Sequence, residues 1–145
     1  MKKLSLTGSL LLLAATLASG HCQIPCGIYG DDTRFTLLLQ NAATIRKSAA
    51  SIDELAEKDP LNHNQIVRWV NNKEKHADEI IDICANYFLA QRIKDGQEAY
   101  DAKLKLIHGI IVAAMKTKQS LESENIDTLE ANIKAFQVVY TGHAH

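Results

Sequence analysis

The chain has 145 residues, with 16 basic against 17 acidic side chains for a formal net charge of −1, and 46% of its residues are hydrophobic. This balance, with no basic patch interleaved with aromatics, argues against a nucleic-acid partner. After residue 20 no apolar run reaches the roughly 20 residues that a membrane-spanning helix needs.

The N-terminus reads as a secretory signal peptide over residues 1–20. Met1-Lys2-Lys3 is a short basic start, and Leu4 to Leu17 is an apolar stretch centred on Leu10-Leu11-Leu12-Leu13. Ala18-Ser19-Gly20 then sets small residues at the third-last and last positions before His21, the pattern of a cleavage site. A lipoprotein signal wants a small residue just before its cysteine, and the bulky His21 holds that place before Cys22. Cleavage after Gly20 leaves 125 residues, enough for one domain with a real core, with 14 basic and 17 acidic side chains and net charge −3. Export places the protein in the periplasm or outside the cell, where three cysteines (Cys22, Cys26, Cys84) leave at least one unpaired.

Residues 21–29, His-Cys-Gln-Ile-Pro-Cys-Gly-Ile-Tyr, come next. Inside a chain, a CxxxC pair beside a histidine is weak evidence, and its plain reading is a small-loop disulfide. At a mature N-terminus the same residues make a chelate. The free α-amine of His21 and the backbone nitrogen of Cys22 close one five-membered ring on a metal. The Cys22 nitrogen and its own thiolate close a second. Cys26 supplies another thiolate, returned by the bend at Pro25 and Gly27, and the His21 imidazole reaches an axial position. Two nitrogens and two sulfurs in a rough plane suit nickel or copper(II), whereas zinc prefers a tetrahedron. Thiolates and a deprotonated amide donate strongly and stabilise the higher oxidation state, so a one-electron couple acting on a small redox substrate fits this site.

From about Thr33 to 140 the pattern is helical throughout. Phe35, Leu38, Ala42, Ile45, Ala49, Ile52 and Ala56 recur at steps of three and four, one face of a first helix. Asp59-Pro60 ends it, and Asn62 or Asn64 is placed to cap the next. Ile66, Val70, Lys73, Ala77, Ile80, Cys84 and Tyr87 continue the rhythm in a long second helix that Asp95-Gly96 breaks. Tyr100, Leu104, Ile107, Ile111 and Ala114 mark a third helix. Ser120 or Ser123 opens a fourth, with Ile126, Leu129, Ile133, Phe136 and Tyr140 on its buried face. Four amphipathic helices with short breaks predict an all-α, antiparallel four-helix bundle carrying an irregular N-terminal hook. Cys84 falls on the buried face as an apolar filler. His63, His76 and His108 are scattered helix residues, and His143 and His145 belong to a frayed tail.

The segment from His21 to Tyr29 closely resembles the N-terminal hook of the nickel superoxide dismutases, His-Cys-Asp-x-Pro-Cys-Gly-x-Tyr, through His21, Cys22, Pro25, Cys26, Gly27 and Tyr29. A looser likeness extends over Arg68-Trp69-Val70-Asn71 to Tyr87-Phe88-Leu89. The resemblance implies a homohexamer of bundle subunits with one nickel ion each, converting superoxide to dioxygen and hydrogen peroxide after signal peptidase has freed His21. The implied nickel ligands are the His21 amine and imidazole, the Cys22 amide and thiolate, and the Cys26 thiolate. It further implies a cis peptide at Pro25, Tyr29 beside the open face where it orders water and limits approach to small anions, and Tyr87 as a supporting tyrosine. Gln23 and Gly30 depart from aspartates usual in the family, and Thr36 stands roughly where the family has an acidic partner for the axial imidazole. Two other readings share the sequence: an exported, non-catalytic bundle that holds nickel or copper, and a structural bundle with a Cys22–Cys26 disulfide.

Overall fold

The computed structural model describes residues 30–142. Four helices make up this part: α1 (Asp32–Ala56), α2 (His63–Asp82, continued by a π-helical stretch, Ile83–Arg92), α3 (Tyr100–Gln119) and α4 (Ser123–Thr141). Among the described residues there is no strand, and no helix is long and apolar enough to cross a membrane. The expected signal peptide, hook and histidine tail lie outside the described residues.

The helices form an antiparallel bundle in which α1 packs on α2 and α4, and α3 packs on the same two. Side-chain contacts fix the directions. The start of α1 meets the ends of α2 and α4 through Asp31, Tyr87 and Tyr140. Arg46, midway along α1, reaches Asp127 and Glu130 near the start of α4, at 2.6 and 3.1 Å. Lys118 at the end of α3 pairs with Asp78 on α2 at 2.6 Å.

The core follows the 3.6-residue period. Phe35, Leu38, Ala42, Ile45, Ala49 and Ile52 of α1 are buried, as are Ala77, Ile80, Cys84 and Tyr87 beyond the middle of α2. The chain's three phenylalanines, Phe35, Phe88 and Phe136, gather with Tyr140 at one end of the bundle. Their ring centroids lie 4.9–5.6 Å apart in tilted and edge-on pairs, arrangements that satisfy the ring quadrupoles.

The periodic reading needs three corrections, and the structure chooses between two caps it offered. Ala56 and Val70 are exposed, because α1 runs out at the turn before Pro60 and the first turns of α2 project past the core. In α3 the core position belongs to Ile110, with Ile111 half-buried. Asn62, not Asn64, caps α2, its Oδ1 accepting from the Gln65 N–H at 3.2 Å. Neither serine caps α4: its N-cap is Glu122, and the Ser120 hydroxyl accepts from Asn125 at 2.8 Å.

The π-helical stretch is the main departure from the sequence pattern. Phe88 and Ile93 are both buried, five positions apart, and five steps of a regular helix would set them about 140° apart. The wider turn removes this conflict: the Ile93 N–H donates to the Phe88 carbonyl at 2.9 Å, an i→i+5 bond.

Candidate metal centre

The residues assigned to the metal, His21, Cys22 and Cys26, and their neighbour Tyr29 lie outside the described residues. The described residues begin at Gly30, directly after that segment in the chain. Gly30 has φ +79°, and among the described residues nothing beyond its chain neighbours comes within 4 Å of where a Cβ would sit. Its positive φ alone favours glycine there.

Asp31 follows as the N-cap of α1. An aspartate at this position ordinarily accepts from an N–H of the first helical turn, but here it makes no side-chain cap bond. Its carboxylate turns across the bundle end instead. Oδ1 accepts from the Tyr87 hydroxyl and from Arg92 Nε and Nη2, at 3.1 and 2.8 Å, and Oδ2 accepts from the Tyr140 hydroxyl at 2.7 Å. Burial pushes the Asp31 carboxyl up, yet the bonds from Tyr87, Tyr140 and Arg92, with the Arg92 charge, outweigh it and hold the group below the usual carboxylate range.

The π turn enables this convergence by carrying Tyr87 and Arg92, also five positions apart, to one side of the helix. The Tyr87 ring is 2% exposed, with Arg34 Cζ 4.5 Å and Arg92 Cζ 5.3 Å from its centroid. Burial and the bond to Asp31 raise the hydroxyl pKa of Tyr87, and the same two causes raise that of Tyr140, so both remain phenols at neutral pH. Tyr87 is thus buried at this end of the bundle and bonded to Asp31; the hook it was expected to support lies outside the described residues. Asp31, Arg92 and the role of Tyr140 were not visible in the sequence pattern, since partners 56, 61 and 109 positions apart leave no local signature.

The other sequence candidates fall elsewhere. The Thr36 hydroxyl donates to the Asp32 carbonyl of its own helix at 3.1 Å and brings no carboxylate to the bundle end. Cys84 is fully buried, and burial pushes its thiol up to about 12, which keeps it protonated and a poor metal ligand. His63 and His108 are exposed. His76 is half-buried, with Nδ1 2.7 Å from Asn41 Oδ1 and 3.3 Å from Glu79 Oε2. Among the described residues no group of three or more histidines, cysteines and acids is placed to hold a metal ion. The donors expected from the sequence, on His21, Cys22 and Cys26, would suit nickel by their chemistry.

A family model described as nickel-containing superoxide dismutase matches residues 16–143. No curated protein matches the chain, and no solved structure matches it.

Proposed function

The chain belongs to the nickel-containing superoxide dismutase family, oxidoreductases with a nickel cofactor and superoxide as substrate, and from that premise we propose how its own residues serve the reaction. The observation that carries the reading is the match over residues 16–143, a span that includes the donors His21, Cys22 and Cys26.

The net reaction takes two superoxide anions and two protons to one dioxygen and one hydrogen peroxide. The His21 amine and imidazole, the Cys22 amide and thiolate, and the Cys26 thiolate hold the nickel. The ion supplies a one-electron Ni(II)/Ni(III) couple, brought into range by the donor strength of two thiolates and an amide. Tyr29 lines the approach, ordering water and admitting small anions. The α-amine is a ligand only when His21 is the first residue, so the chain is exported, cut by signal peptidase after Gly20, and active in the periplasm or outside the cell. The assembled enzyme is a homohexamer with one nickel per subunit.

The deciding measurement joins intact mass, nickel content and superoxide decay on one exported sample. The expected result is a mature chain starting at His21, one nickel per chain, and decay far faster than with free nickel. His21→Ala keeps the amine, amide and both thiolates, so it should bind nickel with modest loss, turn over slowly and show an altered electron paramagnetic resonance signal. A sample with His21 confirmed as N-terminus and nickel bound, yet no faster than free nickel, would overturn the reading and leave a metal carrier.

A further inference from the structure

We infer that Asp31, clamped by Tyr87, Arg92 and Tyr140, is the positioning residue that fixes how the nickel-binding segment leaves the bundle. The inference rests on the reading of residues 21–26 as that segment. It concerns a carboxylate whose bonds among the described residues all run to α2 and α4.

Three observations point the same way. The first is that Asp31 forgoes the local cap of α1, a bond worth about 1 kcal/mol to a helix. A carboxylate serving only α1 would face its own first turn. This one turns instead to side chains on α2 and α4.

The second is that both carboxylate oxygens are engaged, by donors from two other helices. Two phenols and a guanidinium leave the carboxylate little freedom to rotate, and charge-assisted bonds of this kind are the stronger class. The aromatic cluster of Phe35, Phe88, Phe136 and Tyr140 lies beneath and fixes the donors in turn. The backbone at Asp31 is therefore tied to three helices at once.

The third is sequence distance. Five positions separate Cys26 from Asp31, a span of at most about 18 Å for any chain. Gly30, in the left-handed region at φ +79°, sets the chain's direction just before the clamp. Asp31 and Gly30 thus set where the chain enters the segment that carries Cys26, and a misplacement of about an ångström in an active site can cost about 100-fold in rate.

The test uses the processed, nickel-loaded protein and two variants, Asp31→Asn and Tyr140→Phe. Tyr140 is 109 positions from Asp31, so any effect of its hydroxyl on the metal passes through the fold. Circular dichroism first confirms that each variant is helical. The expected result is nickel affinity about 10-fold or more weaker, a changed electron paramagnetic resonance line shape, and lower kcat in both variants, with Tyr140→Phe the milder.

Unchanged affinity and line shape in a folded Tyr140→Phe protein would overturn the clamp, whether or not Asp31→Asn folds. The family reading fails differently: wild type itself would then bind no nickel at Cys22 and Cys26.

Discussion

The Lys73 ammonium, only 3% exposed, donates to the carbonyl of Thr117 at 2.5 Å and to that of Lys118 at 2.9 Å. It thereby satisfies carbonyls that the last turn of α3 leaves without helical partners. The negative end of the α3 dipole favours a cation at this spot, and Glu74 Oε1 at 3.2 Å adds a carboxylate. Lys73→Met keeps the length of the side chain and removes its donors. It should lower unfolding stability by about 2–4 kcal/mol while leaving activity per folded molecule unchanged. Urea denaturation checks this, and a variant as stable as wild type would show that the buried cation contributes nothing net.

Gly30 gives a prediction about backbone conformation. Its φ of +79° puts a conformational penalty on a side chain, about 1–2 kcal/mol for an ordinary residue. Aspartate tolerates the left-handed region far better than a β-branched residue does. Gly30→Asp should keep near wild-type turnover, and Gly30→Val should lose several-fold. Equal turnover in the two variants would remove conformation as the reason for glycine at this turn.

The sequence made the bundle legible because burial and helix geometry share one period. The same rhythm set Lys73 on an interior face, although its polar character hid why. Phe88 and Ile93 show where the method ends: a five-residue step breaks the 3.6 period, and only tertiary packing requires it. The clamp was hidden for another reason. Asp31 carries no local sign of its partners, which come from α2 and α4, 56 to 109 positions away. The metal donors are the opposite case, read from the chemistry of the motif alone, since His21, Cys22 and Cys26 lie outside the described residues.

The three thiols should separate cleanly by function. Cys22→Ser and Cys26→Ser should each abolish tight nickel binding and turnover, because a hydroxyl is a poor replacement for a thiolate on nickel. Cys84→Ser places a hydroxyl in an apolar core and should reduce stability by about 1–3 kcal/mol, with nickel content intact. Metal analysis beside thermal melts distinguishes the two patterns. Loss of nickel from a folded Cys84→Ser protein would contradict the assignment.

Acid stability carries a sign fixed by Asp31. Its folded pKa is depressed, so its contribution is complete above the unfolded value of roughly 3.9. The contribution disappears as pH falls through the lower folded value. The gap in Tm between wild type and Asp31→Asn should therefore be steady from about pH 8 to 5 and shrink below about 4. The comparison is made on nickel-free protein, so that acid loss of bound nickel does not enter the difference. A gap that widens on acidification would show that the clamp prefers a neutral acid.

Superoxide dismutation releases hydrogen peroxide, an oxidant of thiolates rather than thiols. With the Cys84 thiol pushed up to about 12, only about one molecule in 10⁵ carries a thiolate there at neutral pH. Burial that began as core filling thus makes this sulfur chemically silent toward the enzyme's own product. A buried, protonated Cys84 is a poor target for peroxide, so exposed groups should be oxidised before the packing is reached.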